Sequence, residues 1–223
     1  MPHLPRHQCL VYEGSPASHL PGLSALMRQK LAENYRCLYL NSPPMVAGLR
    51  SYLFAAGTDV TTEIAKGSLV LSSGSEHLLD GRFDIDRMLD MLEKALHQAL
   101  EDGYQGLWAT GDMSGEFGPE RDFSKLLEYE WRLEEFFEHH QALSGICQYH
   151  TDTLPPEILR HGLLTHPSLF ISETLSRLNP HYVERKRFPV GPYDSAALDK
   201  AIKDLCTVPD ALSLAALPPD YLL

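Results

Sequence analysis

Asp112 is the first residue of this sequence whose type and position suit chemistry. It ends the segment Gly-Leu-Trp-Ala-Thr-Gly-Asp, in which an apolar run leads into a turn. In an open α/β sheet, ligands bind just beyond the carboxyl ends of the strands, and a carboxylate at such an end can help to hold Mg²⁺. An Asp side chain in this position can instead cap the turn. Both interpretations of Asp112 stay open, and Met113 beside it is a candidate ligand contact.

Glu130 is the second candidate, because it lies on the apolar side of a predicted helix. Leu126, Leu133 and Phe137 stand around it at helical spacing. Charged side chains are rarely buried unless they are paired, so an inward Glu130 should have a raised pKa or accept a hydrogen bond from a specific donor. A slightly rotated helix, with Glu130 at the rim, is the alternative. We expect Glu130 and Asp112 to face one cavity at the carboxyl edge of the sheet.

The strand predicted over residues 143–149 supplies two further candidates. Alternation along a strand sends Cys147 and Tyr149 to one face and Gln148 to the other. Cys147 would be a nucleophile only beside a base in an electropositive setting, and otherwise it is a buried, inert thiol. The complete set of expected ligand contacts is Glu13, His19, Asp112, Met113, Tyr129, Glu130, Cys147 and Tyr149.

The first strand-to-helix connection lacks a phosphate-binding loop. Such a loop requires G-x-x-x-x-G-K-[ST], in which glycine amides face phosphate, Lys supplies charge and a hydroxyl reaches Mg²⁺. Counting from Gly14, the three required positions hold His19, Leu20 and Pro21. ATP hydrolysis by this route is therefore not expected. His19 is a candidate ligand contact, with a solvated loop histidine as the alternative.

Histidine and cysteine spacings indicate neither a metal site nor a disulfide framework. The eleven histidines form no HExxH or other compact ligand set, and the HxxxH pair of His3 and His7 has no carboxylate nearby. The four cysteines are far apart and form no CxxC pair, which is typical of reduced thiols in a cytosolic protein. We therefore expect no metal and no cofactor.

Composition and charge narrow the class of protein. The chain has 223 residues, 43% of them hydrophobic, which is enough for one substantial core. Its formal net charge of −11 argues against direct nucleic-acid binding, which requires a basic surface. The sequence shows neither a signal-peptide pattern nor an apolar run of membrane-spanning length. We expect a soluble, cytoplasmic protein without a membrane partner.

Strand and helix patterns alternate along the chain at least five times. Such alternation is typical of an α/β fold with three layers, a mostly parallel sheet with helices on both faces. Strands are predicted over residues 9–13, 36–40, 68–72, 103–113, 143–149 and 168–172, and helices over 20–34, 43–56, 85–102, 124–140, 155–164 and 194–205. We expect one domain over residues 1–223, with a core at 7–185 and a C-terminal helix and tail at 186–223.

Eight short motifs occur in the order found in a known sensory family. They are His7 with Cys9-Leu-Val-Tyr-Glu13, Arg36-Cys-Leu-Tyr-Leu40, Asp80-Gly-Arg-Phe-Asp-Ile-Asp-Arg-Met88, Gly111-Asp-Met113, Leu127-Glu-Tyr-Glu130, Cys147-Gln-Tyr149, Thr165-His-Pro167 and Asn179-Pro-His-Tyr-Val183. Over roughly residues 7–185, the chain resembles the MEDS domain, the methanogen/methylotroph DcmR sensory domain. It departs from the family pattern at Asp112, where Glu is usual, and at Ser114-Gly115, where an aromatic residue often stands.

The resemblance implies a RecA/KaiC-like core without a P-loop, and a sensory role. MEDS domains occur beside DNA-binding, histidine-kinase or sigma-factor-control modules and are thought to sense small organic molecules. The resemblance therefore favours a non-enzymatic sensor that binds a small organic ligand, shifts the loop at 111–119 and reports to a signalling protein or a second copy of itself. One alternative is a degenerate nucleotide-binding protein or weak NTPase, in which Asp112 and Glu130 manage metal and water. The other is a purely structural interaction protein.

Overall fold

A computed structural model of the chain describes residues 6–15, 18–74, 77–117, 122–187 and 193–207. The strands are β1 (His7–Tyr12), β2 (Arg36–Leu40), β3 (Leu69–Ser72), β4 (Leu78–Leu79), β5 (Arg82–Phe83), β6 (Leu107–Asp112), β7 (Leu143–His150), β8 (Ser168–Ser172) and β9 (Leu175–Leu178). The helices are α1 (Leu20–Ala32), α2 (Pro43–Ala55), α3 (Val60–Ala65), α4 (Ile85–Glu101), α5 (Met113–Glu116), α6 (Leu126–His139), α7 (Pro156–Thr165) and α8 (Ser195–Cys206).

Seven strands form one sheet in the order β3-β2-β6-β7-β1-β8-β9. Every pairing from β3 to β8 is parallel, and β9 joins β8 antiparallel at one edge. One face packs against α4, α6, α7 and α8, and the other packs against α1 and α2. The predicted three-layer α/β architecture with a mostly parallel sheet is therefore confirmed.

The segment from α4 to β6 shows how local sequence sets the ends of these elements. Asp84 caps α4 by accepting a hydrogen bond from the backbone N–H of Arg87 at 2.9 Å. Gly103 follows the helix with φ +84°, a backbone conformation that glycine adopts at no steric cost. Because this turn and the residues after it precede the sheet, the strand begins at Leu107 rather than at the predicted residue 103. At its other end Met113 has already entered α5.

Other predicted boundaries also shift, and some elements are absent from the sequence-based prediction. β1 begins at His7 rather than at residue 9, because His7 already pairs with Gly145 of β7. The hairpin of β4 and β5, the short helices α3 and α5, and the edge strand β9 are not predicted from the sequence. The predicted loop at 111–119 begins as the end of β6 and α5, and its Gly118 and Pro119 lie outside the described residues, as do His3 and the tail.

Among the helices of the described residues, none combines the length and the apolar composition that are needed to cross a bilayer.

Candidate functional site

Two buried polar networks lie on opposite faces of β7. Alternation along the strand sends Cys147 and Tyr149 toward α6, and Gln148 and His150 toward α1. The first network, which we call the Glu130 cluster, consists of His7, Glu130, Cys147, Tyr149 and His166. The second, which we call the Asp112 network, consists of Tyr12, His19, Thr110, Asp112 and Gln148.

The Glu130 cluster converges on a single carboxyl group in the core. Glu130 is 0% exposed, as the apolar stripe of α6 predicts. Its Oε1 accepts a hydrogen bond from the hydroxyl of Tyr149. Its Oε2 lies 3.6 Å from His7 Nε2 and 3.4 Å from His166 Nε2. Cys147 Sγ lies 3.9 Å from the same oxygen and 3.4 Å from His7 Nε2. Four side chains of three chemical types thus surround one carboxyl group.

Outer contacts fix the orientation of both imidazole rings. His7 Nδ1 lies 2.7 Å from Glu134 Oε2, and the ring stacks on Phe137 at 4.6 Å between centroids. His166 Nδ1 donates to the backbone carbonyl of Gly162 at 2.7 Å. Since a carbonyl can only accept, Nδ1 of a neutral His166 carries the proton, and Nε2 presents a lone pair to the cluster.

Burial dominates the protonation of the cluster. Desolvation raises the pKa of Glu130 to about 8, and the Tyr149 hydrogen bond lowers it by less. Desolvation likewise lowers the pKa of His7 to about 3 and holds the pKa of His166 well below its usual range. The pKa of Glu134 rises to about 7 for the same reason. Near neutral pH the protein alone therefore favours neutral side chains here.

The Asp112 network lies on the other face and satisfies its own hydrogen bonds. Tyr12 donates its hydroxyl to Asp112 Oδ2 at 2.5 Å. Asp112 Oδ1 accepts from the backbone N–H and the hydroxyl of Ser114, and so caps α5. Gln148 donates to Thr110 Oγ1 at 2.7 Å, and its Oε1 lies 3.0 Å from His19 Nε2. Asp112 therefore caps a helix, which is one of the two roles that its sequence position allows.

The expectation that Asp112 and Glu130 share one cavity is wrong. Asp112 follows Trp108 and Thr110 on the β6 face that packs against α1 and α2, and Glu130 approaches β7 from the opposite side. The cause is the period of two in a strand, which fixes the face of each side chain independently of its distance from the carboxyl edge. The two acids therefore cannot act on one ligand.

The other expected ligand contacts are distributed over both sides of the sheet. Glu13 is exposed just beyond β1. His19 is not a solvated loop residue, because its ring packs on Tyr12 at 4.0 Å between centroids. Met113 and Tyr129 are buried on the α6 side and line a cavity together with Cys147.

That cavity lies between the sheet and the helices α4 and α6. Its volume is about 40 Å³ and its walls are mainly apolar. A larger open cleft of about 970 Å³ lies at the amino edge, where Arg6, Glu134 and Lys186 contribute charged walls and the buried His7 forms part of the inner wall. The carboxyl edge, where ligand binding is expected from the sequence, is instead occupied by the hydrogen bonds of the Asp112 network.

His19 should make the stability of the protein depend on acid pH. Desolvation lowers its pKa from 6.5 to about 4, so the unfolded chain binds more protons between these values. The contribution of neutral His19 is complete above pH 6.5 and is lost as pH falls toward 4. In urea titrations, wild type should lose roughly 1 kcal/mol per pH unit more than His19→Gln over this window.

A matched substitution checks this result. His97→Gln removes an exposed histidine of α4 and should give a stability curve parallel to that of wild type. A constant difference between wild type and His19→Gln from pH 6.5 to 4 would show that His19 is not buried as neutral imidazole.

His7 and His166 are the site residues that spacing arguments miss. They stand 159 positions apart, and they meet only because β1 lies between β7 and β8. Two signals were present in the sequence. His7, Cys9 and Val11 continue the alternation of β1 toward the chain start, and both histidines belong to motifs that carry the family resemblance.

The fold and the side-chain contacts define the protein as a three-layer α/β protein with two buried polar networks, one on each face of its sheet. Comparison with protein families matches residues 6–167 to MEDS, the MEthanogen/methylotroph, DcmR Sensory domain. Since the match covers more than half of the chain, the protein belongs to the MEDS family, as its motifs predict. A comparison with curated proteins gave no significant match.

Proposed function

We propose that the protein is a non-enzymatic sensory module that binds a small organic molecule in the cavity beside Cys147. Membership of a sensory family supports the role. The observation that carries the location is the cavity itself, which is apolar, has a volume of about 40 Å³ and borders the Glu130 cluster at Cys147. Since a water molecule needs roughly 10–15 Å³ of such volume, this space accommodates a molecule of a few heavy atoms.

The chemistry of the walls supports an uncharged ligand. Met88, Leu92 and Leu133 come from the covering helices, and Ala109 and Cys147 come from the sheet. Apolar walls select for apolar ligand surface, since an unpaired charge in such a space would be strongly disfavoured. Tyr129 and Cys147 line the cavity and carry a hydroxyl and a thiol group that could contact a ligand carrying a single heteroatom.

A nucleotide-binding role has less support. The carboxylate that would hold Mg²⁺ in that role, Asp112, already accepts hydrogen bonds at both oxygens. The backbone N–H of Gly14, which a phosphate loop would turn toward its ligand, donates to Asp152 Oδ2 at 3.0 Å. We infer a RecA/KaiC-like ancestry for the core from family membership and its parallel sheet, with the nucleotide function lost.

Signal output through a second protein or a second copy of the chain is part of the proposal. Phe54 on α2 is 75% exposed and Leu178 on the edge strand β9 is 66% exposed, which supports protein contacts at these elements. We place the protein in the cytoplasm, which is supported by the four free cysteines, three of them buried.

A thermal-shift screen with a cavity-filling variant tests the ligand site. One- to three-carbon alcohols, halides and amines are screened, with ATP/Mg²⁺ as a separate arm. A compound present at a hundredfold excess over its Kd should stabilise wild type by about 2.7 kcal/mol, which raises the Tm by roughly 5–10 °C for a chain of this size. Ala109→Val, which places two methyl groups in the cavity, should abolish this shift.

Ala197→Val is the matched control, because Ala197 is exposed on α8 and lies away from the cavity. It should keep the full shift. A shift that survives in Ala109→Val would place the ligand elsewhere, with the amino-edge cleft as the next site to probe. A shift with ATP/Mg²⁺ alone would contradict the proposal and favour the nucleotide-binding alternative.

A further inference from the structure

We propose that His7, Glu130, Cys147 and His166 bind a single divalent transition-metal ion of the zinc class. Each residue offers one ligand atom, these atoms all lie within 4.8 Å of one another, and all four side chains are buried. From the sequence we expect no metal, because the histidine and cysteine spacings form no compact ligand set, but the fold brings such a set together. It is independent of the organic ligand and stands whether or not the cavity is occupied.

Four of the six distances between the ligand atoms are close to the edges of a coordination tetrahedron. Zinc bonds of about 2.0–2.3 Å give ligand-to-ligand edges of roughly 3.3–3.8 Å. The edge from His7 Nε2 to Glu130 Oε2 is 3.6 Å, and the edge from His7 Nε2 to Cys147 Sγ is 3.4 Å. The edges from Glu130 Oε2 to His166 Nε2 and to Cys147 Sγ are 3.4 and 3.9 Å. The two remaining edges, from His166 Nε2 to His7 Nε2 and to Cys147 Sγ, are within 4.8 Å, so binding an ion would draw the His166 ring toward these two atoms.

An unpartnered nitrogen points into the same space. His166 is 0% exposed, and its Nε2 has no hydrogen-bond partner among the described residues. A buried polar atom without a partner costs about 1–3 kcal/mol, so its retention needs an explanation. The proton on Nδ1, held by the Gly162 carbonyl, leaves Nε2 with the lone pair that a metal requires.

His7 has the outer contact that metal-bound histidines normally have. Its Nδ1 faces Glu134 Oε2 at 2.7 Å, which fixes the ring and directs Nε2 into the cluster. Carboxylate-to-histidine-to-metal arrangements of this kind raise the basicity of the ligand. Tyr149 orients Glu130 in a similar way, because its hydroxyl donates a hydrogen bond to Oε1 and leaves Oε2 for the ion.

Charge balance favours a divalent ion. When Glu130 and Cys147 are ionised, they contribute two negative charges, and the two imidazoles contribute none. A divalent cation makes the centre neutral, which matters in a core where an unbalanced charge is costly. Nitrogen, oxygen and thiolate ligands in a tetrahedral arrangement are the set that zinc prefers among divalent metals.

Four protein ligands make the site closed, as in structural zinc centres. The ion would connect α6, β7 and the segment between α7 and β8 to β1, which lies more than a hundred positions earlier in the sequence. The amino-edge cleft is lined by His7 and Glu134 and so brings solvent up to one side of the cluster. The role that follows is to hold the core around the ligand cavity, and Cys147 belongs to both.

Metal content of the purified full-length chain tests the proposal directly. Protein prepared without a histidine tag is incubated with Zn²⁺, dialysed and measured by inductively coupled plasma mass spectrometry. We expect about one ion per chain, as a four-ligand site requires. Zinc or another divalent transition metal at this ratio supports the site, and less than about a tenth of an ion per chain overturns it.

Cobalt substitution identifies the ligands. Co²⁺ bound to a thiolate gives a charge-transfer band in the near ultraviolet, which should be present in wild type and lost in Cys147→Ser. Affinity should fall at least about tenfold in this variant. Cys37→Ser is the matched control, since Cys37 is an equally buried thiol on the other face of the sheet, and it should keep the band.

A second variant keeps the test decisive if Cys147→Ser does not fold. Glu130→Gln retains the volume and the acceptor for Tyr149 but removes the anionic ligand. It should keep the thiolate band and lose at least about tenfold in affinity. A band that persists in folded Cys147→Ser, or one that is lost in Cys37→Ser, would refute the assignment. Because no organic compound is present, neither result depends on the proposed sensory ligand.

Discussion

Replacing Glu130 with alanine should lower the free energy of unfolding of chelator-treated protein by about 3–5 kcal/mol. Three effects add in this variant. The fully buried side chain leaves a cavity in a packed core, and its loss leaves the hydroxyl of Tyr149 without its acceptor. His166 Nε2, for which the described residues provide no hydrogen-bond partner, loses the carboxyl oxygen that lies 3.4 Å away. Urea denaturation at pH 7 measures the change.

Two substitutions separate the causes. Glu130→Gln keeps the volume and the acceptor for Tyr149 and should cost less than about 1.5 kcal/mol. Glu128→Ala removes an exposed carboxylate two residues earlier on α6 and should change stability by less than about 0.5 kcal/mol. If Glu130→Ala costs no more than Glu128→Ala, the carboxyl does not organise the core as described.

Gly162→Ala should be comparably destabilising, with a loss of about 3 kcal/mol. A Cβ atom at this position would lie 2.5–2.9 Å from three ring atoms of Tyr149, closer than real Cβ contacts permit. The ring is fully buried against α7 and cannot turn away without releasing Glu130. The variant should therefore unfold at a lower urea concentration, and it should also weaken metal binding at the proposed site, although Gly162 offers no metal ligand through its side chain.

A compensating substitution and a control test whether the Tyr149 ring is the cause of the loss in Gly162→Ala. Tyr149→Leu removes the ring, so Gly162→Ala should cost markedly less in that background than in wild type, a non-additivity typical of residues in contact. Gly115→Ala in α5 meets no heavy atom within 4 Å and should be neutral or slightly stabilising. Equal costs for Gly162→Ala in both backgrounds would mean that the Tyr149 ring is not the obstacle.

Sequence patterns suffice for the elements that carry a strong local signal. The 3.6-residue period of α4, with Asp84 before it and Gly103 after it, predicts that helix nearly to the residue. Edge strand β9 carries no comparable signal. Its four residues, Leu-Ser-Arg-Leu, are mostly exposed, and it forms only because β8 offers an unpaired edge. Pairing between strands is a property of the assembled sheet, so local patterns do not reveal it.

In the candidate site, too, some features follow from local sequence and others depend on how the sheet assembles. The inward orientation of Glu130 follows from its neighbours at helical spacing, and its raised pKa follows from burial. The convergence of His7 and His166 on it does not follow, because three strands must first pair in a particular order. The placement of Asp112 on the opposite side of the sheet depends on which face of β6 packs against α1. The sequence of β6 alone does not distinguish its two faces.

The alternation of polar groups along β7 has a consequence for the register of the whole sheet. A central parallel strand that is apolar on both sides could slide by one residue at modest cost, because either face would still be apolar. In β7 such a slip would carry Cys147 and Tyr149 to the side of Tyr12, and Gln148 to the side of Glu130. Each group would then be buried without its partner. The two networks together therefore fix the register of β7 relative to β6 and β1.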